Sequence, residues 1–149
     1  MNETLPRLLL LSHFAATLFM LGVIWFVQIV HYPLFASVER TEFRSYEQRH
    51  TNLTTWVVAP PMLVEVITAL LLFWFRPIGV STWQLSIGLA LVAVIWLSTA
   101  LLQVPCHNVL RLGFDPVVHQ RLVGSNWMRT FAWSARGFLV VWMEMSSFR

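Results

Sequence analysis

The residues best suited to chemistry are polar side chains set in otherwise apolar stretches. Gln28 and His31, Gln103 and His107, and Asn126 and Arg129 are each three or four residues apart, a spacing that shares one helix face. An imidazole can act as a base, and a guanidinium can stabilise developing oxyanion charge. His31, His107 and Arg129 are therefore the catalytic candidates, and Gln28, Gln103 and Asn126 the ligand-binding ones. Glu47-x-x-His50 has the spacing of one half of a di-metal carboxylate motif. It occurs once, with Glu65 the only other carboxylate near it, so no metal is assigned. His31 and His107 could also bracket a haem, but no attachment motif accompanies them. The cofactor is left open.

Glu65 and Arg136 form a second constellation. Each lies nine residues after a tryptophan, Trp56 and Trp127, which places both roughly 13 Å along their helices at about 1.5 Å per residue. That is near the middle of a hydrocarbon layer about 30 Å thick. Charges at that depth face the bundle interior and pair, so an intramembrane ion pair is expected.

The elements that position these groups follow from composition. The chain has 149 residues, 57% hydrophobic and 11% charged, against about 25% charged in an average soluble domain. A soluble enzyme and a nucleic-acid binder are both poor readings, since the net charge of +3 is spread along the chain. The single cysteine, Cys106, excludes an internal disulfide and any multi-cysteine metal site. Four apolar stretches, about 8–30, 56–75, 85–104 and 127–145, are each long enough to cross a bilayer. The first lacks a cleavage pattern and reads as a retained span rather than a signal peptide. Segments 37–55 and 108–126 mix charges with apolar residues and predict short helices lying on the membrane surface. Pro33, Pro60, Pro61 and Pro105 read as helix starts and stops at the membrane entrances.

Arg40, Arg44, Arg49, Arg111, Arg121 and Arg129 lie on the long-loop side, against Arg7, Arg76 and Arg149 opposite. The positive-inside rule then puts the long loops in the cytoplasm and both termini outside. The expectation is an all-α integral membrane four-helix bundle in a lipid bilayer, such as a bacterial inner membrane. In the first span His13, Thr17, Gln28 and His31 fall on one stripe, which should face protein.

A shift of 71 residues aligns Val23-Ile24-Trp25 with Val94-Ile95-Trp96 and pairs Arg40 with Arg111, Phe43 with Phe114, Trp56 with Trp127 and Glu65 with Arg136. Two repeated helical hairpins, about 5–75 and 76–149, inserted with the same sense, account for this pattern.

Gln103-Val-Pro-Cys-His-Asn-Val-Leu110 followed by Asn126-Trp-Met-Arg-Thr130 resembles the anthrone-oxygenase-like family of small four-span membrane proteins. His107 stands where the family pattern has its first Asn, and the likeness covers about a third of the chain, mainly in the second half. The resemblance implies a four-helix membrane fold and, in a few members, oxidation of polyketide anthrones to quinones. It places a planar phenolic substrate near Asn126, Arg129, Gln103 and His107. Two readings follow. The first is an oxygenase or a binder of hydrophobic aromatic or quinone-like small molecules, with a polar pocket at the cytoplasmic mouth. The second is a non-catalytic subunit, as a homo-oligomer or within a larger membrane complex.

Overall fold

The computed structural model describes residues 3–148. Among them the chain is helical with no strand, in the order α1 (Thr4–Phe26), α2 (Tyr32–Leu34), α3 (Arg40–Leu71), α4 (Thr82–Ser98), α5 (Val104–Leu110) and α6 (Pro116–Ser147). These make four long rods, because α1 runs into α2 through a wide turn at Val27–His31, and α4 runs into α5 through another at Thr99–Gln103. Three rods, Thr4–Ser37, Arg40–Leu71 and Thr82–Leu110, are long and apolar enough to cross a membrane. α6 is as long as α3 at 32 residues, but it is not among those three. It carries Arg129 and Arg136 on a face that the other rods bury.

The charged segments are not separate surface helices. Residues 40–55 are the first turns of α3, and residues 116–126 the first turns of α6. The sequence offers no break there: α6 starts where the Asp115 carboxylate accepts from the Val117 and Val118 amides, with Pro116 behind it, and nothing stops the helix afterwards. Pro60 and Pro61 likewise lie inside α3 rather than at its start. A helix of 32 residues is about 48 Å long, so both rods outrun a hydrocarbon layer of about 30 Å by several turns. Those extra turns build the site.

Pro33 and Pro105 each follow a wide turn by two residues. A proline ring clashes with the carbonyl four residues back and supplies no amide. The backbone responds by bonding five residues back, Tyr32 N–H to the Val27 carbonyl and Val104 N–H to Thr99. Such a turn inserts one residue and swings the following side chains around the axis.

α1 packs against α3 and α6, and α4 against α6 and α3, so α3 and α6 face each other across the bundle. Arg136 on α6 fills that centre. Its Nη2 is 2.7 Å from Glu65 Oε1 on α3, and its Nε donates to the same oxygen at 2.9 Å. Its Nη1 donates to the Gly88 carbonyl of α4, and Nη2 donates to His13 Nε2 of α1 at 3.1 Å. The His13 tautomer follows from its other nitrogen. Thr68 Oγ1 gives its proton to the Val64 carbonyl, so it accepts from His13 Nδ1–H at 2.8 Å. Thr17 adds a hydrogen bond to Glu65 at 2.6 Å. Phe43 and Phe114, also 71 residues apart, meet edge to face at 4.9 Å nearer the site end.

At the opposite end Gly79 has φ +85° in the turn between α3 and α4, and a Cβ there would overlap the backbone of Ser146. The Ser81–Gln84 capping box then starts α4.

Removing one partner of a buried pair leaves the other charge uncompensated, at about 3–5 kcal/mol. Arg136→Met should lower stability in detergent denaturation by that order, and Glu65→Leu added to Arg136→Met should recover most of it. Equal losses for the single and double variants would contradict this account of the bundle centre.

Candidate functional site

The long-loop end of the bundle holds a pocket of about 170 Å³. Met20, Val23, Ile24, Val27, Val58 and Val104 supply apolar walls, and Tyr32, His50, Gln103, His107, Arg111 and Arg129 the polar groups. An open apolar groove of about 440 Å³ adjoins it, sharing Val23, Val27, Thr54 and Val58 and continuing along Gly22, Phe26, Leu53 and Val57.

The wide turn after α1 presents Tyr32 to this pocket, and His119 of α6 fixes it by donating to the Tyr32 carbonyl at 2.7 Å. The Tyr32 hydroxyl lies 3.0 Å from His107 Nε2. His107 Nδ1 lies 2.6 Å from Glu47 Oε1, with Glu47 fully buried. A carboxylate can only accept, so in the neutral imidazole Nδ1–H donates to Glu47 and Nε2 accepts from Tyr32 O–H. The three residues form a relay from hydroxyl to imidazole to carboxylate, the geometry that activates a hydroxyl for proton transfer. On its other side His50 Nδ1 lies 2.8 Å from His31 Nε2 and 3.1 Å from Thr54 Oγ1.

Phe35, fully buried, holds these rings together. Its centroid is 5.0 Å from His50, 5.4 Å from His31 and 5.5 Å from Tyr32. With Phe43, Leu110 and Leu122 it forms an apolar plug beneath the extra turns. The low polarity around the relay strengthens its hydrogen bonds.

Among the sequence candidates, Gln103, His107 and Arg129 line the pocket. Gln28 and Asn126 are buried behind it, where Asn126 donates to Gln28 at 2.9 Å and Arg129 donates to Asn126 at 3.2 Å. They brace Arg129 rather than face a ligand. His31 lies beyond His50 and borders the adjoining groove. Glu65 and Arg136 belong to the deeper bundle centre. Gln103 is itself held between Ser98 and Ser125.

Arg129 is 8% exposed and has no carboxylate within ion-pair distance among the described residues. Its Nε is buried without a hydrogen-bond partner. Arg111 donates to Thr51 Oγ1 at 2.9 and 3.1 Å. The pocket thus offers cationic donors to an oxygen-bearing ligand.

Sequence reasoning missed Tyr32, which follows His31 but reads as an aromatic at a span end, and Phe35. It noted Glu47 and His50 but sought their partners among carboxylates, whereas the structure supplies His107. No protein family, curated protein or solved structure matches the chain.

Gln28 Oε1 accepts from Asn126 Nδ2, whereas the Thr130 hydroxyl has the Asn126 carbonyl as its nearer acceptor. Gln28→Leu should strand the buried Asn126 amide and cost about 1–3 kcal/mol, read as a lower melting temperature of the purified protein. An unchanged melt would show that Arg129 is held in place by other means.

Proposed function

We propose that this chain is an integral membrane protein that binds a single-ring aromatic ligand of the quinone or phenol class and moves a proton at one of its ring oxygens. The observation that carries the reading is Arg129, a buried guanidinium without a counter-ion at the wall of a largely apolar pocket. Size supports it: an apolar cavity of about 150 Å³ binds benzene, and this pocket has about 170 Å³. One ring fits, and an apolar tail would follow the adjoining groove. The resemblance to anthrone-oxygenase-like proteins points to the same ligand class, although a fused three-ring anthrone would outgrow the pocket.

The chemistry follows from the relay. A ring hydroxyl set against Tyr32 passes its proton to the Tyr32 oxygen as Tyr32 gives its own to His107 Nε2. The resulting imidazolium is held against Glu47. Arg129 stabilises the oxyanion left on the ring. A base aligned by a carboxylate and an electrostatic partner for the product is a sufficient set for this step.

The membrane arrangement we infer has four spans, α6 included, with its charges turned inward, and both termini outside a membrane of the bacterial inner type. It includes two hairpins from an internal duplication, related by a two-fold axis along the bundle. Residues near such an axis meet their own equivalents, as Glu65 meets Arg136 and Phe43 meets Phe114. The two wide turns, each followed by a proline, are a further matched pair.

Orientation is tested by cysteine labelling in a Cys106→Ser background, at Ile78 and Leu112, which are 70% and 77% exposed. Ile78→Cys should react with an impermeant maleimide in intact cells, and Leu112→Cys only after permeabilisation. The opposite pattern would invert the topology.

Ligand binding is tested with a benzoquinone bearing a decyl tail, by equilibrium dialysis of detergent-purified protein in EDTA. Arg129→Gln should weaken binding at least tenfold (about 1.4 kcal/mol). Tyr32→Phe should leave the quinone bound while abolishing the shift in ring-hydroxyl ionisation seen with the corresponding quinol. No saturable binding to the native chain would end the reading.

A further inference from the structure

Two members of the relay and the histidine beside them have the donor set of a metal centre. Glu47, His50 and His107 each bring one ligand atom within 4.8 Å of the other two. In a tetrahedral site with bonds of about 2.0–2.1 Å, ligand atoms stand roughly 3.4 Å apart, so no pair in this set is more than about 1.4 Å wider than in a bound site. Glu47 and His50 share a face of α3 through their i, i+3 spacing, and His107 reaches them from α5.

Two independent features favour an ion over a purely structural cluster. Glu47 is fully buried, yet its Oε2 has no hydrogen-bond partner among the described residues. A buried carboxylate oxygen without a donor is costly, and a cation is the partner that removes the cost. Second, each imidazole is already gripped by the nitrogen that would not bind the ion. His50 Nδ1 is taken by His31 and Thr54, leaving its Nε2, and His107 Nε2 is taken by Tyr32, leaving the Nδ1 that faces Glu47. Metal-bound histidines are held in this way through their second nitrogen.

We propose that Glu47, His50 and His107 bind a divalent first-row transition ion, with His31, Thr54 and Tyr32 orienting the two imidazoles. Two histidines and one carboxylate form the ligand set of hydrolytic zinc sites and of non-haem iron sites, and both leave positions open. His50 and His107 also line the pocket, so the open side of the ion faces the place where a ligand oxygen would sit. The ion occupies the seat of the proton now shared by His107 and Glu47, so with the ion bound His107 Nε2 carries the proton and donates to Tyr32, and the proton transfer from Tyr32 to His107 belongs to the ion-free form. This adds a second state to the reading of the pocket and rests on that reading only for the role of the open position.

The test uses the full chain purified in detergent, stripped with EDTA and dialysed against Co²⁺, Zn²⁺ or anaerobic Fe²⁺ alone. One equivalent of Co²⁺ should bind with visible ligand-field bands, and Zn²⁺ should raise the melting temperature over EDTA. His50→Gln and Glu47→Gln should each weaken Co²⁺ binding at least tenfold, and His31→Gln about tenfold through the lost support of His50. Sub-stoichiometric binding of all three ions with no change in melting would overturn the proposal. So would unchanged Co²⁺ affinity in His50→Gln with a native near-ultraviolet circular dichroism spectrum. The melting comparison on the native chain stands even where a variant fails to fold. Quinone binding in EDTA is read separately: its loss with the ion retained removes the ligand reading, and its retention without ion binding removes only the metal.

Discussion

A guanidinium in an apolar interior must find acceptors for its N–H groups, or the fold that buries it is not stable. Arg136 meets this demand with one acceptor from each of the other three rods: Glu65 on α3, His13 on α1 and the Gly88 carbonyl on α4. The bonds are directional, so they set the rotation and height of each rod as well as holding it. Apolar packing alone would allow these helices to slide, because leucine and valine faces are interchangeable at modest cost. Gly88 lets α4 come close at this point: a Cβ there would touch the Leu139 side chain at 3.4 Å, beside the carbonyl that α4 brings to Arg136.

With the rods fixed at mid-height, the site end is assembled by what happens above. The two prolines force wide turns, and the turns re-aim Tyr32 from the first rod and the residues after Gln103 from the third. The extra turns of α3 and α6 rise beside them and deliver Glu47, His50 and His119. No single helix holds the site. It exists only where four rods end around Phe35.

The bundle centre was legible because its logic is linear: two charges at equal distance from two tryptophans, 71 residues apart like the tryptophans themselves. The inward polar stripe of α1 was legible too, and His13, Thr17 and Gln28 are buried. The continuous α3 and α6 were not, since alternating charge and apolar residues describe a helix on a membrane surface as well as one rising from it. The pocket was half legible. His107 and Arg129 stood out as polar groups near span ends, whereas Tyr32 reads as one more aromatic at an interface. Pairing Glu47 with His107, 60 residues away, needs the height of each rod, and that is a tertiary quantity.

Between the bundle centre and the site end, Met20, Ile24, Met62, Ile95, Ala132 and Trp133 form a buried apolar band. Even the Trp133 indole N–H has no hydrogen-bond partner there. The polar level of Gln28, Asn126 and Thr130 and the level of Arg136 are therefore separated by this band, six residues or about 9 Å along α6 from Thr130 to Arg136. Charge gathered at one polar level has no hydrogen-bonded route to the other among the described residues. A change of charge at the mouth therefore reaches the bundle centre only through apolar packing, and the two polar levels can be altered one at a time.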